Sequence, residues 1–127
     1  MELAKKAFWI ILLFVILPWA LTRPGSFDAD RLPNRNPDIA NGERLFHAGG
    51  CASCHATPVD GRRAKGEDKL RLGGGLQLDT PFGLFRVPNI SPHPGDGIGG
   101  WSMLEFVNAM QKGIPPSGRH YYPSFPY

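Results

Sequence analysis

"GGCASCHATP", residues 49–58, holds both cysteines of a 127-residue chain, with a histidine directly after the second and two glycines directly before the first. Two thiols three positions apart suit few chemistries. A dithiol redox pair is expected in a strand–helix–strand context, and no such pattern flanks Cys51 and Cys54. A zinc site takes four ligands; His47 or His93 could join Cys51, Cys54 and His55, but the spacing is not that of a zinc motif. A disulfide between Cys51 and Cys54 would close a loop too small to stabilise much. Cys-x-x-Cys-His is also the attachment motif for c-type haem, and here the chemistry accounts for the spacing. The thiols add across two vinyl groups on one porphyrin edge, so a single tight turn must bridge them. The next imidazole then lies under the iron. On this reading Cys51 and Cys54 form the thioethers, His55 is the axial iron ligand, and Gly49 and Gly50 let the backbone turn onto the ring edge.

Composition supports a prosthetic group. The chain has 16 Gly and 13 Pro, and so small and loop-rich a domain buries little apolar surface of its own. Two cysteines offer one bridge at most, so a large apolar cofactor is the better staple. The N-terminus carries Lys5 and Lys6, an apolar run from Ala7 to Leu21, then Arg23 and Pro24. That order is the grammar of a secretory signal or a signal anchor. The exit after Leu21 lacks a clean small-residue cleavage site, which favours a retained anchor over residues 1–24. Trp9 and Trp19 suit the two interfaces, and Pro18 is expected to cap or kink the last turn. Export also fits thiols destined for haem attachment on the far side of the membrane. The formal net charge of +3 is too mild to point to a nucleic-acid partner.

Residues 25–38 read as a linker, mixing Pro, Gly, Asp and Arg without a period. A first helix is expected within 36–50, with Asn36 as N-cap, Pro37 at N1 and Gly49–Gly50 as the stop. Ile39, Gly42, Phe46 and Gly49 share one face, and Gly42 on it suggests close approach of another backbone. "DGRRAKGEDKLR", residues 60–71, reads as a solvated loop with five basic side chains. Residues 73–100 are dense in turn residues, with short alternation at Leu76 and Leu78. The clearest helix is "WSMLEFVNAMQKG", residues 101–113: Ser102 and Glu105 form a capping box, Gly113 is the stop, and Met103, Phe106, Val107 and Met110 make one apolar face. No Ser/His/Asp set, paired carboxylates or phosphate loop points to catalysis elsewhere.

Beyond Cys-x-x-Cys-His, four motifs stand out: T-P-F-G at 80–83, P-N-I-S-P at 88–92, G-x-G-x-W-S at 97–102 and H-Y-Y-P-x-F-P-Y at 120–127. With them the chain resembles a class I c-type cytochrome. More narrowly, it resembles the cytochrome c subunits of membrane-bound quinoprotein alcohol dehydrogenases and flavoprotein gluconate-type dehydrogenases. The likeness covers nearly everything from Asn41 to Tyr127. It implies an all-α class I fold around one covalent haem c, preceded by one membrane helix. It implies that His55 donates its other ring nitrogen to a proline carbonyl, Pro88 being the match. "TPFGLF" and "HYYPSFPY" would line the haem pocket, which makes Phe82, Tyr121 and Tyr122 cofactor-binding candidates. Trp101, Arg86 and Arg119 would join them as pocket or propionate contacts.

Two features depart from the family. His93 stands where the family pattern has an acidic residue, and no ligand role is expected of it. The family also continues past F-P-Y with a loop carrying the axial methionine and then a last helix, the partner of Gly42 and Phe46. A cytochrome domain over 39–127 would lack that helix, and its sixth ligand would lie beyond Tyr127. Met110 or Met103, His47 or His120, or an open position are the alternatives.

The resemblance implies an electron carrier rather than an enzyme, at the periplasmic face of a bacterial inner membrane. It would take single electrons from a dehydrogenase subunit to quinone or a terminal oxidase, with no nucleic acid involved. The competing function is a haem protein with an open axial site, acting as a gas sensor or a peroxidase-like enzyme.

Overall fold

The computed structural model describes residues 2–122. Its regular structure is mostly helical, with one short hairpin. The chain divides into two compact units, one of Met1–Arg31 with Val107–Tyr127 and one of Leu32–Phe106. Residues 123–127, the end of the expected pocket segment, lie outside the described residues.

The first unit contains α1, Glu2–Thr22, which is 21 residues long and has no buried residue. At about 1.5 Å per residue it is roughly 30 Å long, long and apolar enough to cross a membrane. Pro18 does not end it. The helix runs one further turn, where Thr22 Oγ1 donates to the Pro18 carbonyl at 2.7 Å and Arg23 N to that of Trp19 at 3.0 Å. After α1, the Phe27 amide donates to the Asn108 side-chain carbonyl. That bond ties the first residues of the expected linker to a helix 81 positions away. Gly113, with φ of +64°, is buried with Ile114, and its carbonyl accepts from Tyr121 N at 2.8 Å.

The second unit begins with α2, Ile39–Ala48. Its cap is Asp38, not Asn36: the Asp38 carboxylate accepts from Asn41 N at 2.9 Å. A carboxylate three residues before a free amide satisfies that donor and complements the helix dipole. Pro37 therefore precedes the helix instead of opening it. Gly50, at φ +64°, follows the helix as expected. Gly42, however, has no atom within 4 Å of the place a Cβ would occupy, so among the described residues nothing approaches Gly42 closely.

The 3-10 turn Gly66–Leu70 lies inside the basic loop. It is followed by a hairpin that an all-α reading does not contain. Strands β1, Gln77–Thr80, and β2, Gly83–Arg86, pair antiparallel with Leu78 opposite Phe85 and Thr80 opposite Gly83. The period-two alternation at Leu76 and Leu78 is the strand signal. Pro81 has the fixed φ that opens a tight turn, and Thr80 Oγ1 fastens the turn by donating to Gly83 O at 2.9 Å and accepting from Phe82 N at 3.2 Å.

Helix α4, Met103–Lys112, starts on the expected capping box. Ser102 Oγ accepts from Glu105 N at 3.3 Å; in return Ser102 N and Oγ donate to Glu105 Oε2 at 2.7 and 2.8 Å. Of the expected apolar face only Val107 is partly covered. Met103 (59% exposed), Phe106 and Met110 stay exposed, whereas Leu104, Val107, Asn108 and Ala109 are half-buried. The bond from Phe27 to Asn108 falls on that covered side.

The Ser102 backbone N–H, and then its hydroxyl, hold the Glu105 carboxyl below the usual carboxylate range. A depressed carboxyl stabilises the folded form above its ordinary range, and the contribution fades as pH falls through the lowered value. Ser102→Ala keeps the backbone donor and loses the hydroxyl. Its Glu105 should titrate part of the way back toward the ordinary carboxylate value, and the first turn of α4 should fray. A carboxyl-carbon NMR titration of Glu105 in both forms checks this; identical curves would remove the hydroxyl from the cap.

Candidate haem-attachment site

Helix α2 ends at Gly49–Gly50 and the chain turns at once into α3, Ala52–His55. Cys51 N donates to Phe46 O at 3.4 Å, and Ser53 Oγ donates to Gly50 O at 2.6 Å. His55 N donates to Cys51 O at 3.0 Å. One helical turn thus carries both sulfurs and the imidazole. Both cysteines are free thiols, partly exposed.

The segment after the turn holds it in place. Thr57 N donates to Arg71 O at 2.6 Å, and Gly74 N donates to His55 O at 2.9 Å. His55 Nδ1 lies 2.9 Å from the Pro88 carbonyl oxygen. A carbonyl can only accept, so this contact requires the proton on Nδ1, and in the neutral imidazole Nε2 then carries the lone pair. An imidazole in that tautomer, with its ring orientation fixed, is prepared to ligate a metal through Nε2.

Sequence reasoning missed Arg63. Read only as part of a solvated loop, it donates through Nη1 to Ser53 O at 2.6 Å and lies 3.8 Å from Cys54 Sγ. Nothing in a run of basic residues distinguishes it; only the fold shows which one turns back. The Val59–Arg62 bridge next to it supplies the reversal, with Asp60 at φ +49° and Gly61 at +72° in its turn.

Phe82 sits at the hairpin turn, 79% exposed. Trp101 is half-buried just before α4, its backbone N–H donating to Ile98 O at 3.1 Å. Tyr121, Tyr122 and Met110 belong to the first unit. His93 accepts at Nδ1 from Gly95 N at 3.3 Å and from Asp96 N at 3.0 Å, so it serves its own loop. Among the described residues no three His, Cys, Asp or Glu side chains are grouped to hold a metal ion, the arrangement a zinc site would need.

A helical turn of two thiols and an oriented imidazole is the kind of site that c-type cytochromes use, and comparison with known proteins points the same way. The chain is 50% identical over 107 residues to a diheme cytochrome c-type protein of Cereibacter sphaeroides, a match covering 84% of this chain and 35% of that one. It is 34% identical to the cytochrome c subunit of a quinone-type alcohol dehydrogenase from Gluconobacter oxydans, over 70% of this chain and 17% of the relative. With the gluconate 2-dehydrogenase cytochrome c subunit of Pantoea cypripedii the identity is 35%, over 70% of this chain and 18% of that protein. No protein-family model matches. The chain is thus a relative of c-type cytochromes and of the cytochrome c subunits of dehydrogenases. It spans about a third of the length of the Cereibacter protein and under a fifth of the two subunits.

Cytochrome c relatives imply haem c, and the residues present fit it. Among the described residues the buried apolar side chains are Ala56, Ala64 and Val87 in the second unit and Ile114 in the first. Within the second unit Ile39, Leu45, Leu70, Phe82, Leu84, Met103 and Phe106 are all exposed. A polypeptide with so few apolar side chains turned inward suits a flat apolar group attached to it covalently.

Arg63→Met should weaken the turn. It removes a charge-assisted hydrogen bond at an exposed site, typically about 1 kcal/mol. The denaturant midpoint should fall by a corresponding amount. An unchanged midpoint would show that the contact contributes nothing.

Proposed function

We propose that the chain is a membrane-anchored, monohaem electron carrier. Cys51 and Cys54 would hold one haem c through thioethers, and His55 Nε2 would ligate its iron. The reading is carried by the His55–Pro88 contact at 2.9 Å, which sets the imidazole in the ligating tautomer beside two thiols. When bound, haem c supplies an iron that alternates between ferrous and ferric states without bond-making in a substrate. The chain's own part is to hold and to tune. Pro88 keeps the Nδ1 proton and thereby raises the basicity of the ligating nitrogen. Arg63 brings positive charge to the Cys54 side of the turn. Helix α1 would keep the domain at the periplasmic face of the inner membrane. The dehydrogenase subunits among its relatives support a periplasmic dehydrogenase as donor, with quinone or a terminal oxidase as acceptor.

Expression in the periplasm of a host with haem-attachment machinery tests this. The purified chain should gain the mass of one haem, keep its pigment through acid–acetone extraction, and transfer electrons to a small redox mediator. Extractable pigment or an unmodified mass would refute covalent attachment. A high-spin ferrous form that binds carbon monoxide would turn the assignment toward a gas sensor or peroxidase-like enzyme.

Cys51→Ala with Cys54→Ala should lose most of the helical circular dichroism of residues 32–106, because the described side chains bury too little alone. Native-like helicity in that double variant would contradict a haem-built interior. Carbonate washing of membranes should leave the chain in the pellet, and its release would argue for a cleaved signal.

A further inference from the structure

Gly74 is buried and adopts φ of +68°. Its N–H donates to the His55 carbonyl at 2.9 Å. A Cβ at this position would lie 2.5 Å from the carbonyl carbon and oxygen of Pro88 and from the carbonyl oxygen of Val87. The Pro88 oxygen is the one that faces His55 Nδ1. These neighbours are backbone atoms, and they are secured on either side. Gly75 N donates to Val87 O at 2.8 Å, Val87 N to Leu76 O at 2.9 Å, and Ile90 N to Leu72 O at 3.0 Å. A flexible side chain could swing aside; this ladder cannot without breaking.

From this geometry we infer that Gly74 is a positioning residue for the axial imidazole. It clamps the backbone of His55 and leaves the space in which the Pro88 carbonyl reaches Nδ1. The inference rests on the assignment of His55 as the iron ligand. Left-handed backbone alone does not account for Gly74. Gly75 next to it has φ of +93°, yet its Cβ would meet only Pro58 Cδ, at 4.0 Å. Gly75 is needed for its conformation, and Gly74 for its conformation and for the close approach. A side chain at 74 would push the Pro88 carbonyl off Nδ1. The imidazole would become less basic, and the ferric state would lose more stabilisation than the ferrous.

The test uses the haem-bearing chain, with Gly74→Ala beside Gly75→Ala. Both pay the strain of a left-handed alanine, and only the first collides with Pro88. In Gly74→Ala the His55 Nδ1 proton, followed by nitrogen-15 NMR in the ferrous state, should exchange with solvent about tenfold faster or more. The midpoint potential should move upward. Gly75→Ala, which strains the Gly75 bond to Val87 but collides with nothing, should shift the exchange rate and potential by less than Gly74→Ala does. If Gly74→Ala does not accumulate, the parent chain still decides. One clamp predicts that the Gly74 amide and the His55 Nδ1 proton open together, with protection equal within about tenfold.

Parent-like exchange and potential in Gly74→Ala would overturn the inference. So would equal shifts in Gly75→Ala, or unrelated protection of the two protons in the parent. A parent chain that carries no covalent haem would bring down the haem assignment and this inference together. A haem-loaded parent with an unchanged Gly74→Ala would remove only the role of Gly74.

Discussion

The second unit depends on how one residue is gripped. His55 is held twice through polar groups of the backbone, at its carbonyl by Gly74 N–H and at its ring by Pro88 O. The two grips come from segments that are laddered to each other, so the turn carrying Cys51, Cys54 and His55 is registered against residues 72–90 without a large side-chain core. Backbone hydrogen bonds serve this well. Each is worth only about 1 kcal/mol net, but together they fix direction, which apolar contact does not.

Arg63 and Thr57 extend the same logic. Arg63 reaches Ser53 O from the loop that follows the turn, and Thr57 N and Oγ1 engage Arg71 O and Gly73 N. The turn is therefore braced from both sides of the basic loop. Such bracing matters where small apolar side chains dominate the interior, as Ala56 and Ala64 do here, because the orientation of the imidazole then rests on polar contacts.

The legible parts of the sequence were those in which one residue's chemistry fixes one local structure. The capping box of Ser102 and Glu105 and the glycine stops at Gly50 and Gly113 are of that kind, and the bonds and positive φ values are present. The Pro88 carbonyl, named from family resemblance and not from periodicity, does lie on His55. What the sequence concealed depends on who approaches whom. Asp38 replaces Asn36 as cap because its carboxylate happens to reach Asn41. Three of the residues on the expected α4 face are exposed, and the bond from Phe27 lies on the Asn108 side of the helix. The hairpin at Thr80–Gly83 escaped a helical reading because four-residue strands give little alternation to read. Arg63 and Gly74 were hidden among similar residues, in a basic run and in a row of three glycines.

The short list of buried apolar side chains has a consequence for the life of the polypeptide. Were haem to supply the interior as proposed, the chain before attachment would be an open substrate for proteases. Its amount in the cell would then track the supply of haem more closely than the supply of messenger. Scarcity of iron would be felt as disappearance of the protein, not as accumulation of an idle form.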